Sequence, residues 1–171
     1  MARVGIFFGS DTGNTENIAK MIQKQLGTNI ADIFDIANSK KEDLIQYDRL
    51  IFGIPTWYYG EAQCDWDDFL PTLKVIDFSR KVVALFGCGD QEDYAEYFCD
   101  AMSTLRDIIE LHGATIVGYW SVMGYNFEAS KGLLDSDHFI GLAIDEDRQP
   151  ELTAARVDAW VKQVRIEMKI S

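Results

Sequence analysis

The chain of 171 residues is long enough to bury one core and too short for two, so we expect residues 1–171 to form a single domain. Apolar residues make up 47% of the composition, which is typical of a globular protein. Acidic residues outnumber basic ones by 28 to 16, and the net charge is −12. This balance argues against nucleic acid and anionic membrane surfaces as partners and favours basic proteins.

Cellular location is predicted from two features. The apolar run near the N-terminus has only five residues, which fits neither a signal peptide nor a membrane span. The three cysteines, Cys64, Cys88 and Cys99, form no C-x-x-C pair, so we expect reduced thiols. Both features predict a cytoplasmic protein.

Apolar runs alternate with amphipathic stretches along the chain. The patterns predict strands over residues 4–8, 30–36, 48–55, 81–87, 115–120 and 140–144. Helices are predicted from the end of the first loop to Gly27 and over residues 64–73, 94–112 and 151–169, with a short helix or turn over 38–46. The alternation predicts an α/β fold with one doubly wound, five-stranded parallel sheet and helices on both faces.

The fifth strand is interrupted by a polar insertion over residues 121–139, and residues 140–144 continue that strand. An irregular segment of this length in a compact domain is uncommon and often functional. A tolerated surface insertion is equally compatible with the sequence.

The first loop, residues 9–15, lies between a buried strand and an amphipathic helix. It carries three hydroxyls, Ser10, Thr12 and Thr15, and no Lys or Arg. A helix N-terminus offers free N–H groups and a favourable dipole to an anion. The loop matches neither the nucleotide-hydrolase nor the dinucleotide fingerprint, and it lacks the thiol of a cysteine phosphatase. It therefore predicts a neutral cradle for a phosphate that is bound and not transferred; a plain capping turn is the alternative.

Two more loops follow predicted strands and should meet the first at one sheet edge. Residues 55–61 carry Trp57, Tyr58 and Tyr59, and residues 88–99 carry Tyr94 and Tyr97. Aromatic rings from two loops can enclose a planar ligand by offset stacking. Taken singly, each ring favours packing over the loop backbone or a protein interface, and not a cofactor. Together with the phosphate cradle, they predict a flat, phosphorylated ligand.

Four motifs, SDTGNTE, IPTWYYGE, FGCGDQEDYAEYF and GLAIDED, resemble flavodoxins in order and at matching spacing. The long insertion resembles that of the long-chain bacterial group. The resemblance implies the strand order 2-1-3-4-5 and a non-covalently bound FMN. It implies an electron-transfer protein and no enzyme, with neither catalytic residues nor a metal.

The resemblance also implies roles for individual positions. The phosphate would be held by Ser10, Asp11, Thr12, Gly13, Asn14 and Thr15. Trp57 and Tyr94 would flank the isoalloxazine, while main-chain groups of Tyr58, Tyr59 and Gly60 would meet its N5 and O4 edge. The pyrimidine edge would meet the backbone of Asp90, Tyr97 and Cys99, and Asp147 would approach the ribityl hydroxyls. The same loops complete the predicted FMN-binding set with Pro55, Thr56, Cys88 and Gly89.

The charge around these loops predicts how the protein would shift the reduction potential of the cofactor. Residues 61–100 hold ten acids and three bases, a field that opposes a second electron on the flavin. The predicted function is a low-potential one-electron carrier working between semiquinone and hydroquinone. A monomer is expected, reduced by a ferredoxin/flavodoxin–NADP reductase and feeding reductively activated enzymes. An FMN-dependent quinone or flavin reductase and a non-redox phospho-ligand-binding module are the alternatives.

Overall fold

The computed structural model describes residues 3–170. Its strands are β1 (Val4–Phe8), β2 (Ala31–Asp35), β3 (Arg49–Trp57), β4 (Glu61–Ala62), β5 (Val82–Cys88), β6 (Thr115–Val117), β7 (Trp120–Ser121), β8 (His138–Phe139) and β9 (Leu142–Ile144). Its α-helices are α1 (Asn14–Leu26), α2 (Lys41–Ile45), α3 (Cys64–Leu73), α4 (Ala101–Leu111) and α5 (Thr153–Glu167). Short 3₁₀ turns cover Ile36–Asn38 and Pro150–Leu152.

Apart from the short antiparallel strand β4, the main sheet is parallel and has the order β2-β1-β3-β5, with β6 and then β9 one after the other along the outer edge of β5. Residues 115–117 of β6 pair with 82–84 of β5, and residues 142–144 of β9 pair with 86–88. These two short strands together occupy the fifth position. The predicted α/β class and the order 2-1-3-4-5 are confirmed.

Two hydrophobic cores lie on opposite faces of the sheet. Strand β1 shows why: Val4, Ile6 and Phe8 point into the core beneath α1 and α5, while Phe7 points into the core beneath α3 and α4. All five residues of β1 are buried, as its continuous apolar sequence predicts. Helices therefore cover both faces, and the loops at the carboxyl ends of the strands are left free to form a site.

Helix α3 holds the first loop in place. Trp66 on α3 donates from Nε1 to the carbonyl of Gly53 at 2.7 Å, which fixes the helix to β3. A Cβ on Gly9 would lie 2.2 Å from Gln63 Oε1 and 2.7 Å from the Trp66 ring. Because only a residue without a side chain fits there, Gly9 lets the loop approach α3 closely.

Three predicted boundaries were wrong. The first part of the fifth strand, predicted over residues 115–120, ends at Val117. Strand β3 does not end at Pro55 but continues to Trp57. Its residues up to Pro55 pair with β5, and Thr56 and Trp57 pair with β4. The carbonyl of Gly53 faces β1 and accepts from the N–H of Gly9 at 3.1 Å, so Pro55, two residues on, faces the same side beyond the end of β1. Its missing N–H thus removes no ladder bond.

The helix predicted over residues 94–112 begins only at Ala101. Residues 91–100 form successive turns instead. Cys99 has a φ of 54°, which a right-handed helix does not allow. The N–H of Phe98 donates to the carbonyl of Ala129 in the insertion at 3.2 Å, so a distant segment takes a bond that a helix would have used.

The chain between β6 and β9 contains the short antiparallel pair β7–β8 and packs against residues 95–100. Phe98 contacts Tyr125, Phe127 and Phe139, with ring centroids 5.4–5.9 Å apart. The N–H groups of Glu128 and Ala129 both donate to the carbonyl of Ala95. The insertion therefore forms an outer support for the third loop. Within residues 3–170, no helix combines the length and apolar character needed to cross a membrane.

Candidate functional site

A cleft opens at the carboxyl ends of β1, β3, β5 and β9. Four loops contribute to its walls, three of which the sequence predicts. The lining residues are Thr12, Asn14, Thr15, Pro55, Thr56, Trp57, Cys88, Gly89, Asp90, Tyr94, Glu146 and Asp147. Hydroxyl and amide groups lie toward one loop and aromatic rings on two others, as a ligand with a polar end and a flat end requires.

The first loop places three polar side chains in the cleft, those of Thr12, Asn14 and Thr15. Gly13 precedes α1 with a φ of 91°, and its N–H donates to Ser10 Oγ at 3.0 Å. This bond folds the loop over the start of a 13-residue helix, whose dipole favours an anion there. No lysine or arginine is among the residues that line the cleft in the described chain.

Asp11 turns away from the cleft. Its carboxylate accepts from Gln63 Nε2 at 3.0 Å, and Asp65 accepts from the same amide nitrogen at 2.7 Å. These two carboxylates and the thiol of Cys64 come within 4.8 Å of one another. The Gln63 amide accounts for their proximity, and Asp11 contributes to the shape of the loop.

The second loop supplies Trp57 as a half-buried wall of the cleft. Its Nε1–H is buried and finds no acceptor among residues 3–170. A buried donor without a partner costs about 1–3 kcal/mol, so its presence in a cleft wall fits a ligand that carries acceptor oxygens. Tyr58 and Tyr59 follow Trp57 and remain 59% and 77% exposed at the mouth of the cleft.

Backbone conformation in this loop is unusual at Tyr58 and Gly60, whose φ angles are 46° and 88°. A Cβ on Gly60 would lie 2.8 Å from Asp100 Oδ2, so the site requires glycine for space as well as for φ. The Asp100 carboxyl is buried; Oδ1 accepts from the N–H of Lys131 at 2.7 Å, while Oδ2 lacks a partner in the described chain. Burial raises the pKa of Asp100.

The third loop is folded around one carboxylate. Asp90 Oδ1 accepts from the N–H groups of Glu92 at 2.9 Å and Asp93 at 3.0 Å, and the N–H of Tyr94 donates to the Asp90 carbonyl at 3.2 Å. This turn directs Tyr94 into the cleft, where Trp57 also lies. Although partial burial opposes it, the hydrogen bond from Arg148 holds the pKa of Asp90 below its usual value.

The fourth loop, after β9, was only partly identified from the sequence. Besides Asp147, the structure places Glu146 in the cleft wall. Asp145 is fully buried and accepts from the N–H and side-chain amide of Gln91 and from the N–H of Arg148. Asp147 was predicted from the resemblance alone. The rule that ligands bind at the carboxyl ends of parallel strands would also have pointed to Glu146, whereas no local pattern identifies Asp145, Gln91 or Arg148. Burial and the nearby Asp90 and Asp145 carboxylates raise the pKa of Asp147.

The predicted residues divide into three groups by position. Those in the cleft wall are Thr12, Asn14, Thr15, Pro55, Thr56, Trp57, Cys88, Gly89, Asp90, Tyr94 and Asp147. A neighbouring open groove of about 930 Å³ is lined in part by Tyr58, Tyr59 and Tyr97. Ser10, Asp11, Gly13, Gly60 and Cys99 belong to the same loops but are not among the lining residues of the cleft.

The thiols near the cleft are poorly suited to covalent chemistry. Burial raises the pKa of Cys88 to about 12 and that of Cys99 well above its usual value. A thiol that stays protonated is a weak nucleophile, so Cys88 serves as packing. Thr56 has a structural bond as well, because its Oγ1 accepts from the N–H of Ala101 at 2.9 Å at the start of α4.

Comparison with known proteins agrees with this geometry. Residues 6–160 match the family model described as Flavodoxin. The chain is 76% identical to Flavodoxin 1 of Salmonella typhimurium and 75% identical to Flavodoxin 1 of Escherichia coli K12, each alignment covering 99% of this chain and 97% of the relative. A crystal structure of Fusobacterium nucleatum flavodoxin bound to flavin mononucleotide has a TM-score of 0.91 and 36% identity, covering 98% of this chain and 99% of that one. The chain belongs to the flavodoxin family.

Proposed function

We propose that this chain carries single electrons on a non-covalently bound FMN. The observation that supports this most directly is the cleft itself, with a hydroxyl-lined helix N-terminus at one end and the rings of Trp57 and Tyr94 in its walls. The Fusobacterium relative is a flavodoxin bound to flavin mononucleotide. FMN supplies the redox chemistry when bound, and the protein binds it, orients it and sets its potential. Residues 1–171 would act as one FMN-binding domain.

The phosphate end of FMN would lie in the first loop. Thr12, Asn14 and Thr15 offer side-chain donors there, and the start of α1 offers backbone N–H groups and the positive end of its dipole. Ser10, Asp11 and Gly13 would act through the loop backbone and its fold. Because the loop has no lysine or arginine, it adds no formal positive charge that would ease reduction of the flavin.

The ring would lie between Trp57 and Tyr94, with Pro55, Thr56, Cys88 and Gly89 beneath it. Backbone of Tyr58, Tyr59 and Gly60 would face one ring edge, and backbone of Asp90, Tyr97 and Cys99 the other. Asp147, together with Glu146, would approach the ribityl hydroxyls. The positive φ angles at Tyr58 and Cys99 suit backbone roles at these two positions, since they re-aim peptide groups.

The acidic surround would make the second one-electron reduction difficult. One carboxylate about 10 Å from the ring, at an effective dielectric near 20, opposes an added electron by roughly 1.7 kcal/mol. Several carboxylates lie around the ring loops, including Asp90, Glu92, Asp93, Glu96 and Asp100. The fully reduced protein would therefore be a strong reductant.

Electron exchange would occur at the exposed tyrosines. Tyr59 and Tyr97 pack edge to face with ring centroids 5.6 Å apart, and the groove beside them is bordered by Glu92, Asp93, Glu96 and Glu128. An apolar patch ringed by carboxylates fits a basic partner. The proposed partners are a ferredoxin/flavodoxin–NADP reductase as donor and reductively activated enzymes as acceptors, with this chain acting as a cytoplasmic monomer.

A reductive titration of the purified protein tests the proposal. The expected result is bound FMN that is reduced in two separate one-electron steps, the second at much lower potential, with a long-wavelength absorption band between them. Protein that binds no flavin would contradict the proposal and favour a non-redox binding module. Steady oxidation of NADPH by the purified protein alone would favour a flavin or quinone reductase.

A further inference from the structure

Arg148 joins two loops that the sequence separates by more than fifty residues. Its guanidinium contacts three carboxylates of the turn formed by residues 90–94, which we call the 90–94 turn. Nε lies 3.0 Å from Asp90 Oδ1, Nη1 lies 3.0 Å from Glu92 Oε2, and Nη2 lies 3.1 Å from Asp93 Oδ1. Each guanidinium nitrogen thus has a charged partner, and the planar fork of arginine suits this arrangement in a way that lysine cannot reproduce.

The contact of Arg148 with Asp90 influences the position of Tyr94, because hydrogen bonds within the turn link Asp90 to Tyr94. The Asp90 carboxylate also accepts from the N–H groups of Glu92 and Asp93, and the Asp90 carbonyl accepts from the N–H of Tyr94. Asp90 therefore sets the backbone that carries the Tyr94 ring into the cleft wall. A change in how Asp90 is held changes where that ring lies.

The backbone of Arg148 is itself anchored by a buried carboxylate. The buried Asp145 carboxylate accepts from the N–H of Arg148 at 2.9 Å and, through its other oxygen, from the N–H of Gln91 at 2.9 Å. The backbone of both loops is thus tied to one buried group. The Arg148 side chain, which is 32% exposed, joins the same two loops a second time at the surface.

We propose that Arg148 is a positioning residue that holds the 90–94 turn closed so that Tyr94 stays against the flavin. This inference rests on the proposed FMN binding. Without the guanidinium, the carboxylates of Asp90, Glu92 and Asp93 would lose the cation that contacts all three, and Asp147 lies close enough to add to their repulsion. Their repulsion would favour an open turn and a displaced Tyr94 ring.

The positive charge of Arg148 could instead act by long-range attraction of the FMN phosphate. Comparing FMN with a ligand that lacks the phosphate distinguishes this role from positioning of Tyr94. Riboflavin has the ring and ribityl chain of FMN but no phosphate. Positioning of Tyr94 predicts that loss of Arg148 weakens both ligands by the same factor. Attraction of phosphate predicts a loss confined to FMN.

The experiment compares Arg148→Gln, Arg148→Lys and the control Arg106→Gln by titrating apoprotein with FMN and with riboflavin, following flavin fluorescence. Arg106 pairs only with its neighbour Asp107 among the ion pairs of the described chain and loses the same charge when replaced. We expect Arg148→Gln to raise the Kd of both ligands about tenfold, Arg148→Lys to restore part of the affinity, and Arg106→Gln to change neither by more than about twofold.

A double variant tests the path through Tyr94. In the Tyr94→Ala background, Arg148→Gln should raise the Kd less than about threefold, because the ring that Arg148 positions is already gone. The visible circular dichroism of bound flavin should change in Arg148→Gln and less in Arg148→Lys. Should Arg148→Gln fail to fold, Arg148→Lys carries the same comparison.

Three outcomes would overturn the inference: a loss for FMN alone, additive effects of Arg148→Gln and Tyr94→Ala, or a loss no larger than that of Arg106→Gln. Failure of the unmodified protein to bind any flavin would instead overturn the proposed function, so the two failures are distinguishable.

Discussion

At the scale of single residues, two buried polar atoms without a partner in the described chain lie in the second loop or against it. Trp57 has a buried donor without a partner among residues 3–170, and Asp100 has a buried carboxylate oxygen in the same situation. Most buried polar groups in proteins are paired, because an unpaired one costs free energy that the rest of the fold must offset. Their location suggests that the loops are shaped for binding at some expense of stability.

Replacing Trp57 with Phe should separate hydrogen bonding from stacking. The Phe ring keeps an aromatic face in the wall, while the Nε1–H is lost, so we expect the Kd for FMN to rise about tenfold. The unfolding free energy of the apoprotein should fall by no more than about 1 kcal/mol, because removing a buried donor that has no partner offsets the packing lost with the smaller ring.

Trp120→Phe is the matched control. Trp120 Nε1 donates to the Tyr125 hydroxyl at 2.9 Å, outside the residues that line the cleft. Its replacement should lower stability to urea and leave the Kd for FMN unchanged. Equal effects of both variants on the Kd would contradict the role assigned to Trp57.

Asp100 and Asp90 should give stability changes of opposite sign with pH. The pKa of Asp100 is raised, so the folded state loses stability relative to the unfolded state as pH rises above the usual carboxyl range. The stability of Asp100→Asn relative to the unmodified protein should therefore increase as pH rises above about 3.9, the normal Asp pKa. Urea unfolding of the apoprotein at several pH values measures this.

Asp90→Asn is the counterpart in the same experiment. Its pKa is lowered, chiefly by Arg148 against the effect of burial, so its contribution is present at neutral pH and is lost as pH falls through the carboxyl range. Asp90→Asn should cost more stability at neutral pH than in acid. The same pH slope for both variants would contradict these assignments.

At the scale of elements, the segment between β6 and β9 supports the cleft from outside. The N–H of Asn126 donates to Gln91 Oε1 at 2.6 Å, and Gln91 Nε2 donates to Asp145 at 2.8 Å and to Gln149 at 2.9 Å. One buried amide thus connects the insertion, the third loop and the loop after β9.

Gln91→Leu should break this connection. It leaves the buried Asp145 carboxylate and the N–H of Asn126 with fewer partners, so we expect a loss of about 2–3 kcal/mol in the unfolding free energy and faster amide exchange over residues 91–94. Gln163→Leu is the control: Gln163 also reaches a distant carbonyl, that of Tyr119, but lies partly exposed on α5. It should cost less than about 1 kcal/mol, and equal losses would contradict the connecting role.

At the scale of the whole molecule, the net charge of −12 governs encounters with other proteins. Attraction between exposed charges is largely screened beyond about 10 Å at 0.1 M salt. The rate of electron transfer to a strongly basic haem protein should therefore fall at least about tenfold as ionic strength rises to about 0.5 M.

Single charge changes locate the docking surface. Glu96→Gln, beside the exposed tyrosines, should slow the reaction at low salt, whereas Glu110→Gln, at the far end of α4, should not. Stopped-flow absorption measures both. Electrostatic docking at the groove beside the exposed tyrosines would be contradicted by a rate that does not change with salt concentration, or by equal slowing in the two variants.

Much of this molecule follows from the sequence alone. Strand and helix periods, glycine at Gly27 and the alternation of elements are local signals, and the rule that parallel strands end at one edge brings the three loops together. Charge and aromatic residues in those loops then indicate the kind of ligand. These inferences need no knowledge of which side chains touch.

Tertiary structure decided the rest. The contact of Arg148 with Asp90 spans 58 residues, the carboxyl of Asp100 lies against Gly60, and the bond of Phe98 to Ala129 shortens α4 at its start. No periodic pattern encodes such contacts, because each depends on two loops meeting after the sheet has formed. The sequence by itself indicated a parallel sheet, the common edge of its loops and the kind of ligand, and its resemblance to flavodoxins added the strand order. Only the folded chain determined which groups hold the cleft walls in place, since those groups act through contacts between distant segments.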